Sequence, residues 1–294
     1  VHNIDFMLLT HAHIDHSGRI PKLYNEGYRN QVIATKATCD LCSIMLPDSG
    51  HIQEMEVEWK NKKRERKGEK PLPPMYTAED AAKSLEIFRG VHYDEIIEIT
   101  PDIHVRFNDA GHMLGSAIIE VWIQENGETK KLVFTGDLGN NDIPLLSPPT
   151  MISDADYLIM ESTYGNRLHM RNDDKANIFL NVVYETLEKG GTVVIPSFAV
   201  GRTQEILYEL NRIKEEEHDE EFYKKYQKLM SVPVYVDSPL AISATEVFKD
   251  NMDLFNEETQ EIINEGDNPL EFSGLRFTRT ADESKMLNAS NESS

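Results

Sequence analysis

Six residues near the start of the chain, His11-Ala12-His13-Ile14-Asp15-His16, limit its fold more than any other stretch. They follow the apolar run Phe6-Met7-Leu8-Leu9, which is short enough for a buried strand and stops at Thr10. A helical pattern with a glycine comes next, so the hexad is expected in the loop at a strand's C-terminal end. Four ligand-type side chains in six positions do not crowd together as plain packing, because something positive must hold them. Imidazole nitrogens and carboxylate oxygens are the donors that zinc accepts. A solvated polar loop is the competing reading.

The rest of the chain supplies a frame around this loop. A short helix is expected over Ile20 to Tyr24, ended near Gly27, and a strand over Gln31 to Thr35. A helix from Thr38 to Leu46 follows, with Thr38 as its N-cap. Between Trp59 and Lys70 lie Lys60, Lys62, Lys63, Arg64, Arg66, Lys67 and Lys70 against Glu65 and Glu69, a local surplus of five positive charges. The plain reading of this run is a solvated helix face, and the sharper one is an arm that meets phosphates. Pro71, Pro73 and Pro74 stop it, and Thr77-Ala78-Glu79-Asp80 has the form of a new helix cap.

Strands are expected at 96–99, 103–107, 117–123 and 131–134, with Gly127 turning a hairpin between the last two. Farther on, helical patterns at 174–189, 200–216, 239–250 and 257–265 alternate with the apolar runs Thr192 to Ile195 and Val232 to Val236. That alternation predicts βαβ units and a parallel sheet. A division into residues 1–172 and 173–294 fits the polar run Arg167 to Lys175, and the polar tail from Asn288 is expected to be loose. At 294 residues the chain can bury one large core or two domain-sized ones.

Two composition features narrow the function. The formal net charge of −21 excludes a protein that coats nucleic acid through a basic surface. It leaves nucleic-acid chemistry open, because a metal centre and a local cationic strip can handle phosphates inside an acidic envelope. No stretch approaches the roughly 20 apolar residues of a membrane span, and no targeting segment opens the chain, so a cytoplasmic location without membrane contact is expected. Cys39 and Cys42 lie too close in sequence for a disulfide framework and form half a zinc knuckle at most. They are expected to pack a helix, with a redox pair or an intersubunit metal site as the alternatives.

Two later segments repeat the logic of the hexad. Asp109-Ala110-Gly111-His112-Met113-Leu114-Gly115-Ser116 sets one histidine between glycines, and Phe134-Thr135-Gly136-Asp137-Leu138-Gly139 ends an apolar strand on an aspartate. A buried aspartate there needs partners, and a cation would satisfy it. In this order the three segments resemble the metallo-β-lactamase superfamily. The resemblance implies an αββα sandwich in which His11, His13 and His112 hold one zinc, Asp15 and His16 hold a second, and Asp137 bridges both. Two such ions would share a hydroxide at neutral pH and stabilise an in-line displacement, chemistry that suits phosphodiester or acyl hydrolysis.

Met160-Glu161-Ser162-Thr163-Tyr164-Gly165, Pro196-Ser197-Phe198-Ala199-Val200-Gly201-Arg202-Thr203 and Val236-Asp237-Ser238-Pro239 resemble the β-CASP branch of that superfamily. These are nucleases related to the cleavage and polyadenylation specificity factor endonuclease and to RNase J. The resemblance implies an α/β β-CASP domain and a single-stranded RNA entering the cleft between the two domains. Asp15 would orient or deprotonate the attacking water, and Glu161 would order a metal ligand. Ser197, Arg202, Asp237 and Ser238 would line the cleft, although Ser238-Pro239 is equally a good helix start.

His51, His92, His104, His169 and His218 are expected to be surface or packing residues. By the same resemblance, the family's opening strands and aspartate motif precede position 1. Its glycine-rich histidine motif and last zinc-ligand histidine follow position 294. The chain is therefore expected to be part of a longer zinc-dependent ribonuclease, with an incomplete second zinc site and exposed core edges that favour a homodimer. A DNA-processing nuclease and a metal-free scaffold subunit are the competing functions, the latter disfavoured by the intact histidines.

Overall fold

The computed structural model describes residues 3–141, 143–167, 175–215 and 217–289. His169, the expected boundary at 172/173 and the tail beyond Ala289 lie outside them. The chain divides into two compact units, Val1–Glu161 and Ser162–Ser294.

The first unit is built on two sheets. Strands β1 (Met7–Leu8), β2 (Val32–Thr35) and β3 (Phe88–Val91) form a parallel sheet in that order. Strands β4 (Ile97–Thr100), β5 (Ile103–Asp109), β6 (Ala117–Glu125) and β7 (Glu128–Phe134) form an antiparallel meander, which β8 (Tyr157–Ile159) extends in parallel. The β6–β7 hairpin turns on Asn126 and Gly127, both at positive φ, as the two-residue primed turn demands.

Alternation along these strands sends Val105, Phe107, Ala117, Ile119 and Val121 inward, where they join Ile33 and Val91 of the parallel sheet in one core. The opposite face of the meander carries Ile118 and Val133, covered by Leu138 and Ile152. It also carries a charged group. Glu120, fully buried, accepts hydrogen bonds from Arg106 Nε at 2.6 Å and Asn108 Nδ2 at 2.9 Å.

Helices α1 (Ile14–Ser17), α2 (Ile20–Asn25), α3 (Lys36–Glu65) and α4 (Ala78–Ser84) complete this unit. The long helix α3 corrects the expectation of a helix over 38–46. Its N-cap is Thr35, whose hydroxyl accepts the Thr38 N–H, and it runs through Pro47 to the basic segment. Thr38 instead bonds a neighbouring loop. Thr77 and Asp80 form the expected capping box of α4. Cys39 and Cys42 sit one turn apart on α3, and burial pushes the Cys39 thiol up to about 12 and that of Cys42 higher. Both are reduced packing residues.

The second unit contains α5 (Lys175–Glu188), α6 (Arg202–Glu215), α7 (Glu220–Lys225), α8 (Gln227–Ser231), β9 (Val234–Val236), α9 (Pro239–Asp250), α10 (Glu257–Asn264), β10 (Leu275–Phe277) and α11 (Ala281–Ala289). Its sheet pairs β9 with β10 in parallel. The run Thr192 to Ile195 forms no strand, contrary to the alternation pattern, and Val194 is 82% exposed. Strand β9 offers only three residues, and a cavity of about 650 Å³ lies between it and that run. Among the described residues, no helix is long and apolar enough to cross a membrane.

Candidate metal centre

Three loops bring the histidines together, and backbone contacts lock each loop to the next. The hexad leaves β1, and Ser17 returns its hydroxyl to the carbonyls of Ala12 and His13 at 2.8 and 3.0 Å. The loop after β5 is cinched by Ser116 Oγ, which accepts the N–H groups of His112 and Met113 at 3.1 and 3.2 Å. Asp109 Oδ1 accepts the Gly111 N–H at 2.8 Å, and burial raises its pKa to about 6. The carbonyl of Gly115 receives the hydroxyls of Thr35 and Thr38 at 2.6 and 2.8 Å, which ties this loop to the start of α3. These hydroxyl residues escape a search for ligands; Ser17 and Ser116 are marked by standing beside the histidine motifs, whereas Thr35 and Thr38 lie far from both in sequence.

The third loop follows β7. Gly139 donates to the Ala110 carbonyl at 2.9 Å and lies so close that a Cβ there would overlap the Gly111 carbonyl group. Gly136, at φ +55°, lies against Thr10 at the end of the hexad's strand. Glu161 Oε1 accepts the Leu138 N–H at 2.7 Å, so it holds the loop that carries Asp137. Gly139→Ala should therefore separate the His112 and Asp137 loops, costing about 3 kcal/mol in a chemical melt. Zinc retention after dialysis should fall with it, while a fully retained centre would overturn this packing account.

The side chains converge at the junction of these loops. One nitrogen from each of His11, His13 and His112 and one oxygen of Asp137 all lie within 4.8 Å of one another. His13 Nδ1 and His112 Nε2 are 3.1 Å apart. Asp137 Oδ2 is 3.8 Å from His11 Nε2 and 3.7 Å from His112 Nε2, and its other oxygen is 3.5 Å from His16 Nε2. Asp15, exposed, joins at the edge with Oδ2 3.6 Å from His16 Nε2. The expected ligand-type residues of this unit therefore assemble around Asp137.

Protonation favours ligation. Burial, then the neighbouring His16, His13 and His112, lowers the pKa of His11 to about 2. Burial also lowers His13 and His112, with Asp137 partly opposing the shift at both. These imidazoles are neutral at pH 7 and present lone pairs, the form a metal needs. His11 is fully buried, its Nδ1 meets Thr10 Oγ1 at 3.1 Å, and its Nε2 has no hydrogen-bond partner among the described residues. An unpaired buried nitrogen is costly, and a cation at the junction of the four donors would satisfy it. The donor set of three imidazoles and a carboxylate fits zinc.

The remaining candidates belong to the second unit, where each has a partner. Asp237 accepts the hydroxyls of Thr278 and Ser284, and Ser238 caps α9 by accepting the Ala241 N–H. Ser197 Oγ is 2.8 Å from Thr203 Oγ1, and Arg202 pairs with Glu205. Ser197, Asp237 and Ser238 line the same cavity, and Arg202 does not. His218 stacks on Phe222 with ring centroids 3.8 Å apart, a packing role.

The chain is similar to known proteins along most of its length. A family model described as the Beta-Casp domain matches residues 203–294. The chain is 35% identical over 285 residues to Ribonuclease TTHA0252 of Thermus thermophilus, covering 97% of this chain and 58% of that protein. It is 32% identical over 288 residues to the RNase J-like protein of Methanocaldococcus jannaschii, covering 97% and 58% respectively. It is also 32% identical over 274 residues to the transcription termination factor FttA of the same organism, covering 92% of this chain and 39% of that protein. The chain thus spans less than two thirds of the length of these relatives.

Proposed function

We propose that this chain, which belongs to the β-CASP branch of the metallo-β-lactamase superfamily, carries the zinc centre of a ribonuclease that hydrolyses RNA phosphodiester bonds. The observation that carries this reading is the convergence of His11, His13, His112 and Asp137 on one point, with His11 Nε2 buried and unpaired. In this reading His11, His13 and His112 hold one ion, His16 and Asp15 face a second, and Asp137 serves both. Zinc supplies a nucleophile at neutral pH and positive charge for the oxygens of an in-line displacement.

The side chains divide the remaining work by position. Asp15, at the exposed edge beside His16, would receive a proton from the incoming water. Glu161 fixes the orientation of Asp137 through Leu138. The ribonuclease name of the Thermus relative and the RNase J-like name of the archaeal one favour RNA over DNA as substrate. Zinc-loaded protein should cleave labelled single-stranded RNA and leave single-stranded DNA uncut, with cleavage lost on chelation and restored by zinc. Cleavage that survives both chelation and His13→Ala would refute the proposal, as would equal cutting of DNA its RNA specificity.

A further inference from the structure

The basic end of α3 is a feature the metal centre does not use. The helix is 30 residues long, or about 45 Å at 1.5 Å per residue. Its first turn touches the metal-centre loop through the bonds of Thr35 and Thr38 to Gly115. Its last turns carry the only strongly basic run in a chain of net charge −21. The two ends of one helix therefore link the metal-centre loop to a cationic surface.

The two faces of the basic end differ. One is fastened to the returning chain, where Asn61 exchanges two hydrogen bonds with Leu72 and Arg64 bonds the Lys70 carbonyl and the Glu69 carboxylate. The other is bare. Ile52, Met55 and Trp59 follow one another at helical spacing and are all exposed, Trp59 at 59%. Lys63 and Arg66 continue this face, and Lys63 Nζ sits 3.5 Å from the centroid of the Trp59 ring. Lys60 and Lys62 are paired with Glu56 and Glu58 one turn back. Lys63, Arg66 and Lys67 have no carboxylate partner among the described residues.

We propose that the face made by Trp59, Lys63, Arg66 and Lys67 is a docking strip for single-stranded RNA, which holds the substrate at a distance from the metal centre. This rests on the ribonuclease reading given above. The charge of the chain supports a polyanion here, since an RNA repelled by the acidic remainder gains attraction only where cations stand unpaired. The indole supports a single strand, because unpaired bases have free faces to stack on it and paired bases do not. A protein partner would suit the apolar stripe, but the unpaired cations beyond Trp59 would then be left without counter-charges.

The test compares an RNA of about 30 nucleotides with a small diester, bis(p-nitrophenyl) phosphate, on the zinc-loaded chain. The small diester reads the metal centre alone. Trp59→Ala should weaken binding of the long RNA about tenfold, in line with the loss of one stacked base. Lys63→Glu combined with Lys67→Glu should weaken it further and flatten the salt dependence of log K by about 1.4, which is about 0.7 for each phosphate no longer neutralised. Hydrolysis of the small diester should change less than twofold in each variant, with the thermal melt preserved.

Unchanged RNA affinity and salt slope in both variants would overturn the strip. So would a loss confined to self-association of the chain. If the wild type retains no zinc and cleaves nothing, yet its RNA binding depends on Trp59 and Lys63, the strip stands and the ribonuclease reading fails.

Discussion

Asp137→Ala is expected to lower phosphodiester hydrolysis by more than about 100-fold and to strip zinc from the centre, while leaving the metal-free fold intact. Asp137 faces both groups of imidazoles: one oxygen is directed to His11 and His112, and the other lies 3.5 Å from His16 Nε2. No other side chain in the assembled cluster has that position. Without it, the neutral imidazoles of His11, His13 and His112 lose the carboxylate that faces them directly, and Asp15 and Glu161 alone remain nearby to offset a divalent ion. Stability is a separate matter. The Asp137 side chain is 34% exposed and its neighbours His11 and His112 are neutral, so the metal-free protein should change by less than about 1 kcal/mol. Elemental analysis after dialysis, a chemical melt in chelator and a diester assay read the three effects independently. A variant with wild-type zinc content would remove Asp137 from the ligand set.

Glu120→Ala should have the opposite profile, a large loss of stability arising away from the metal. Glu120 is fully buried on β6, with Arg106 Nε and Asn108 Nδ2 at 2.6 and 2.9 Å and Lys131 Nζ 2.6 Å from its other oxygen. Both cations flank the Trp122 ring, at 5.4 and 5.5 Å from its centroid. Truncating the carboxylate leaves Arg106 without its paired carboxylate and leaves Lys131, nearly buried, with only the exposed Asp154 at 3.4 Å. Breaking a buried pair in this way costs about 3–5 kcal/mol. Glu120→Gln keeps the shape and one acceptor and should fall between.

The pH dependence has a fixed sign. Burial pushes the Glu120 pKa up, but the bonds from Arg106, Lys131 and Asn108 outweigh it and leave the carboxyl below its ordinary 4.5. The folded protein thus binds the proton less well than the unfolded chain. Its stabilisation is complete above about pH 4.5 and fades as the pH falls through the folded value. Urea melts of wild type and Glu120→Gln should converge on acidification, and parallel curves would contradict the assignment.

The metal cluster and this network differ sharply in how far the sequence reveals them. His11, His13, His112 and Asp137 are legible because ligand-type residues on tight glycine loops have few other uses. Glu120 is hidden, since alternation along β6 reads it as a solvent-facing residue opposite Ile119 and Val121. Its burial depends on Arg106 and Lys131, which reach it only after β5 and β7 take their register. Strand β3, Phe88-Arg89-Gly90-Val91, has no alternation to announce it and forms because β2 offers an open parallel edge. The expected start of α3 at Thr38 falls one turn too late. Thr35 caps the helix, and both hydroxyls reach the Gly115 carbonyl, a partner 77 or more residues away along the chain. In the second unit the four expected helices form at their patterns and α7, α8 and α11 add to them, whereas the apolar run at 192–195 looks like a strand and lines a cavity instead.

The central claim is that the two histidine-bearing loops and the Asp137 loop form a zinc centre, and metal stoichiometry tests it most directly. The wild-type chain, loaded with zinc and dialysed, should retain at least about one ion per chain by elemental analysis, and His13→Ala should retain less than about a tenth of that. A wild-type chain that holds no zinc, or a His13→Ala variant that holds as much as wild type, would contradict it.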